Sequence, residues 1–162
     1  MGRRRGAAGF SLTELIIAVA LVAIVSALAV PQFQRYSANA DLKAAAREVA
    51  GDFFNVRQQA IEGRVGQNPE YRITLDVSGN GYSLQSREMG ATAWNTTWTK
   101  SLASFGNGIR IESTTFTGAV VSFQQRGTIS PFGTIFLLNG RGSRATIRVS
   151  SMGRTNVTFE MR

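Results

Sequence analysis

Glu14 is the one ionisable residue between Phe10 and Gln34. It stands at the head of an apolar run, Leu15 to Val30, that is broken only by Ser26. A carboxylate inside hydrocarbon costs roughly 2.5–3.5 kcal/mol even on lenient insertion scales, so an acid kept there calls for a cationic partner and a task. A second group with chemical potential is Arg141, Arg144, Arg148 and Arg154, a C-terminal cluster of cations suited to holding phosphates by charge. Trp94 and Trp98, four residues apart, can stack on bases or anchor a loop, and anchoring is the reading preferred. The chain contains neither cysteine nor histidine, which removes disulfides, thiolate metal sites and the common zinc and general-base constellations. Glu70, Asp76, Glu88 and Glu112 fall on separate elements, and Gly79-Asn80-Gly81 is a turn, so neither catalysis nor a cofactor is expected.

Three kinds of element must position these residues. The apolar run is long enough to span a bilayer as a helix, and Arg3, Arg4 and Arg5 on its N-terminal side would stay cytoplasmic. Past Pro31 the pattern remains helical. Leu42, Ala46, Val49, Phe53, Val56 and Ala60 step by four and three and form one apolar stripe, while Asp41, Lys43, Arg47, Glu48, Asp52 and Arg57 mostly take the other face. Pro31 lacks an amide donor and should kink this helix rather than end it; Gly63 and Gly66 stop it. The remainder reads as strands, at 71–77 and 82–87 around a Ser78-Gly79-Asn80-Gly81 hairpin turn, then near 96–100, 109–113, 120–124, 134–139, 144–150 and 156–161. Alternation points Ala145, Ile147 and Val149 inward, and puts Arg144, Thr146, Arg148 and Ser150 on an outer face. Residues 88–108 read as a long loop around the 96–100 strand.

The N-terminal segment has three explanations. An ordinary signal peptide would be cut after Ala27-Leu28-Ala29, and a simple signal anchor would be retained whole. Neither explains Glu14. The third is carried by Gly9 followed by Phe10-Ser11-Leu12-Thr13-Glu14-Leu15, the apolar helix and Pro31, which together resemble the class III prepilin signal of type IV pilins and type II secretion pseudopilins. The resemblance implies cleavage after Gly9 and N-methylation of Phe10 by a membrane prepilin peptidase/methyltransferase. It also implies that Glu14, assisted by Thr13, meets the N-terminal amine of a neighbouring pilin or pseudopilin subunit. A carboxylate beside a cationic amine is far cheaper in low dielectric than one alone.

Farther along, Phe123-Gln124-Gln125-Arg126-Gly127-Thr128, Gly133-Thr134-Ile135-Phe136-Leu137, Ile147-Arg148-Val149-Ser150 and Gly153-Arg154 resemble the GspH/FimT branch of pseudopilins. The fold this implies is α+β, a long N-terminal helix packed on a C-terminal antiparallel β-domain. The implied organisation is a leader at 1–9, a transmembrane and filament-core helix at 10–31, its amphipathic continuation at 32–63, and a periplasmic β-domain at 64–162. The expected role is structural: a single-pass inner-membrane subunit built into a type II secretion pseudopilus or a type IV pilus. The alternative is a minor pilin that binds DNA. Some FimT-type proteins do so through a Gly-Arg-x-Arg element, and this chain has Gly153-Arg154-Thr155-Asn156, with Asn156 where the second arginine would stand.

Overall fold

The computed structural model describes residues 11–63, 69–106 and 108–162. They fall into two units, one ending at Tyr36 and the other running from Ser37 to Arg162. Helix α1, Leu12–Glu62, supplies all the described structure of the first unit and one layer of the second. It continues through Pro31, as the helix-forming flanks require. Gly66 and the residues around it lie outside the described set.

Within the second unit the helix buries the stripe that its spacing predicts. Leu42, Ala46, Val49, Phe53, Val56 and Ala60 are all buried, joined by Ala45. Two antiparallel sheets complete the core. The first has the order β3-β2-β1-β5-β6, with β1 at Glu70–Asp76, β2 at Gly81–Arg87, β3 at Asn95–Ser101, β5 at Val120–Phe123 and β6 at Ile129–Ser130. The second has the order β4-β7-β8-β9, with β4 at Arg110–Thr114, β7 at Gly133–Leu138, β8 at Arg144–Val149 and β9 at Thr155–Glu160. Each sheet turns one face to the same core: Ile73, Leu75 and Leu84 from the first, Ile135, Leu137, Ala145, Ile147 and Val149 from the second. Phe53 of the helix packs between rings from both regions of the chain, Phe116 at 6.3 Å and Phe123 at 5.8 Å between centroids. The architecture is therefore the α+β arrangement expected, a helix on antiparallel β-structure.

Eight strands lie where alternation puts them, within about one residue at each end. The ninth, β6, is two residues long and too short for any periodicity. In the hairpin between β1 and β2 the positive φ belongs to Asn80 (54°) rather than to either flanking glycine. The Asn80 side chain also joins the two sheets, donating to Ile109 O at 2.7 Å and accepting from Ile111 N at 3.0 Å.

Candidate assembly helix and two arginine-bearing faces

In the first unit every described side chain up to Tyr36 is exposed. Leu15, Ile16, Ile17, Val19, Leu21, Val22, Ile24, Val25 and Leu28 are each more than half exposed and point all round the helix. A helix apolar on every side is matched to lipid or to other helices, not to water. It is also the one described helix long and apolar enough to cross a membrane. Thr13 and Glu14 occupy its first turn, where an acid meets the positive end of the helix dipole. Gly9 and Phe10 lie outside the described residues, so the proposed cleavage junction and methylation site have no structural description.

The sequence places Asp52 and Arg57 on the solvent face of α1, and the structure corrects both. Asp52 is buried. Tyr82 Oη donates to its Oδ2 at 2.6 Å, and Lys100 Nζ donates to its Oδ1 at 2.9 Å while also pairing with Glu48. Burial and the Asp52 carboxylate push the Tyr82 hydroxyl well above the ordinary tyrosine range. Burial works to lower Lys100, but its hydrogen bonds to Asp52 and Glu48 prevail and hold it above its usual value. The acid therefore serves as a polar bolt between helix and first sheet, a partnership that helical periodicity alone does not reveal.

Arg57 is a second bolt. Its Nε donates to Gly127 O at 2.8 Å. The side chain lies across two glycine turns, Gln124–Gly127 and Ser150–Gly153, each closed by a backbone bond from the glycine amide to the carbonyl three residues back. Both glycines have positive φ, 77° at Gly127 and 73° at Gly153. A Cβ on Gly153 would fall 2.5 Å from Arg57 Nε and closer still to its Cδ. Two of the sequence fragments singled out above, Gln124–Thr128 and Gly153–Arg154, are thus neighbours along one arginine, which lies against Gly153 most tightly, while a Cβ on Gly127 would meet Ile61 at 2.9 Å and Arg57 at 3.1 Å.

The C-terminal arginines do not form one stripe. Arg144 pairs with Glu112 at 2.8 Å and lies over the Phe136 ring at 5.7 Å. Thr146, expected on the outer face, is buried on one of the two inner strands of its sheet, opposite Phe136 on one side and Thr158 on the other. Arg141 sits in the β7–β8 turn, its backbone amide bonded to Asn139 Oδ1 at 3.0 Å. Arg148 and Arg154 do come together. They line a shallow concavity with Asn156, Ser150, Thr134 and the exposed ring of Phe132.

Trp94 and Trp98 also part company. Trp98 packs on the core, edge-on to Tyr82 at 5.8 Å, as an anchor should. Trp94 instead stands on the outer face of the first sheet, where Arg72 Cζ is 4.0 Å and Arg87 Cζ 4.5 Å from its ring centroid. Residues four apart on a regular strand share a face. Here Trp98 faces Leu84 and Thr96 faces Gln85, so Thr97 is an extra residue, and this bulge turns Trp94 to the opposite side.

Comparison with known proteins bears on both units. Residues 4–30 match the family described as the prokaryotic N-terminal methylation motif. Two fimbrial proteins of Pseudomonas aeruginosa are 38% identical to the chain over 56 residues, which is 35% of this chain and 36% of each relative. The chain thus spans about a third of the length of the curated relatives it matches. Among solved structures, the fold is similar to that of the minor pseudopilin EpsH from the Type 2 Secretion System of Vibrio cholerae. The TM-score is 0.57 over 73% of this chain and 96% of that one, at 12% identity, a likeness of fold.

Proposed function

We propose that this type IV pilin-like chain, with its N-terminal methylation motif and minor-pseudopilin fold, is a structural subunit of a pilus or pseudopilus. The observation that carries the reading is the helix exposed on all sides, with Glu14 as the sole ionisable residue of its apolar stretch, continuing into a packed β-domain. An apolar surface of that extent is stable in a membrane and, after extraction, among like helices. In this reading the prepilin peptidase cuts after Gly9 and methylates Phe10, and the new amine of one subunit pairs with Glu14 of another. The β-domain would lie on the periplasmic side, since Arg3–Arg5 favour a cytoplasmic start. The partners are the processing enzyme and other subunits of the filament. Likeness to a secretion pseudopilin in fold and to fimbrial proteins in sequence supports both settings, a type II secretion pseudopilus and a type IV pilus. Genomic neighbours, a secretin and secretion ATPase or a pilus operon, distinguish them.

N-terminal mass spectrometry of the mature protein tests the reading. Methyl-phenylalanine at Phe10 is the expected result, and a mature start near Val30 would overturn it in favour of a processed secreted protein. Gly9→Ala should leave an uncut, membrane-bound precursor. Glu14→Ala should be cut yet fail to join filaments; normal incorporation would remove Glu14 from the assembly role.

A second reading, DNA capture, has a specific observation in its favour, the convergence of Arg148, Arg154 and exposed Phe132 on one concavity. It predicts that the full chain retards DNA at low salt, that binding falls steeply as salt rises, and that Arg148→Ala or Arg154→Ala weakens it. No retardation at low salt would dispose of the idea.

A further inference from the structure

Where β1, β2 and β5 end at the rim of the first sheet there is a cleft of about 450 Å³ that shares no lining residue with the Arg148 concavity or with the apolar run of α1. Its walls include Trp94, Arg87, Met89, Tyr71, Gln125 and Arg126. We propose that this cleft is a docking site for an acidic, extended polypeptide segment of a partner protein.

Charge makes the case for the sign of the partner. Arg72 and Arg87 crowd the same tryptophan ring, and exposed Arg126 lines the same cleft. Among the described residues one acid answers them, Glu70, bound to Arg87 at 2.5 Å; Arg72 bonds the neutral amide of Gln85 at 2.6 Å. Burial, with the Arg87 charge beside it, lowers the Arg72 pKa below its usual value, as expected where cations exceed their counter-ions. The ring also preorganises the guanidinium groups, so a carboxylate arriving there meets donors whose freedom has already been reduced.

The remaining walls favour polypeptide over nucleic acid. Glu70 lies in the cleft and would repel a continuous run of phosphates, whereas a peptide can place its acids to either side. Met89 is 68% exposed, a flexible apolar contact of the kind that adapts to side chains. Gln124, Gln125 and Ser122 offer neutral donors and acceptors for an extended backbone. The chemistry recognised is therefore acid alternating with apolar.

The test uses the full mature protein in nanodiscs of zwitterionic lipid, with a fluorescein-labelled hexapeptide alternating glutamate and leucine as the probe. Fluorescence anisotropy should show saturable binding that weakens with salt and is reduced about tenfold by either Trp94→Ala or Arg126→Glu. Arg126 lies in an exposed turn, so Arg126→Glu reads the site even if Trp94→Ala disturbs the fold. Arg110→Glu, at an exposed position on the other sheet, should leave binding unchanged. Equal affinity for the lysine–leucine counterpart would overturn the proposal, as would binding indifferent to Arg126→Glu. Tighter binding of a twelve-residue oligothymidylate, lost with Arg126→Glu, would also overturn it by assigning the cleft to nucleic acid.

Discussion

Gly153→Ala should be among the most damaging single-methyl additions in the β-domain, and its cost can be built from the structure. The φ of 73° lies in the left-handed region, where a Cβ costs about 1–2 kcal/mol. The new methyl would also occupy the space of the Arg57 side chain. Displacing Arg57 breaks its 2.8 Å bond to Gly127 O, a charged hydrogen bond worth about 1.5–3 kcal/mol. The combined loss is about 2.5–5 kcal/mol, which for a domain of this size lowers the midpoint of thermal unfolding by roughly 10–20 °C. Arg57→Ala alone removes the same bond without the backbone strain. The double variant is the sharp test, because the bond can be lost only once. Circular dichroism melts of the four proteins should show the double variant no less stable than Gly153→Ala. The coupling should amount to about 1.5–3 kcal/mol. Strictly additive losses would refute the idea that Gly153 is bare for the sake of Arg57.

Other outcomes follow from the same geometry. Phe53→Ala should cost about 3–5 kcal/mol, since that ring is buried between Phe116 and Phe123, whereas Phe54→Ala, at a side chain 54% exposed, should change the unfolding midpoint little. Arg144→Ala should cost less than about 1 kcal/mol by denaturant titration, because its pair with Glu112 is exposed. Tyr82 and Lys100 both have folded pKa values above their unfolded ones. The stability they confer is complete below about pH 10 and is lost as pH rises through the folded values. Alkaline unfolding should therefore begin near pH 10, and Tyr82→Phe should flatten that slope; an unchanged slope would exclude Tyr82 as a source.

What could be read from sequence followed from regular spacing. The helix stripe from Leu42 to Ala60 and the inward set Ala145, Ile147 and Val149 rest on periods of 3.6 and 2, and all are buried. What could not be read came from single events that break a period or join distant elements. The bulge at Thr97 sends Trp94 away from the core, and a strand with one residue too many looks like any other in sequence. Asp52 borders the buried stripe and resembles its solvated neighbours until Tyr82 and Lys100 arrive from another element. Thr146 is buried where Phe136 and Thr158 stand beside it, whereas Arg148, beside Thr134 and Asn156 on the same strand, is exposed, a matter of cross-strand neighbours rather than local pattern. Arg148 and Arg154 meet because the Ser150–Gly153 turn folds back, while Arg144 is drawn to Glu112.

Asn139 has a mechanical meaning as well as a structural one. The side chain is buried, and its amide donates to Ala38 O at 3.2 Å and Asn39 Oδ1 at 3.0 Å, while its oxygen accepts from the amides of Arg141 and Ser143. Ala38 and Asn39 are where the packed portion of α1 begins. Asn139 thereby ties the start of the packed helix to the β7–β8 turn and the second sheet behind it. In a subunit held by one end of its helix these bonds would be the attachment nearest that end, and the load they carry is a quantity that force spectroscopy on Asn139→Ala can measure.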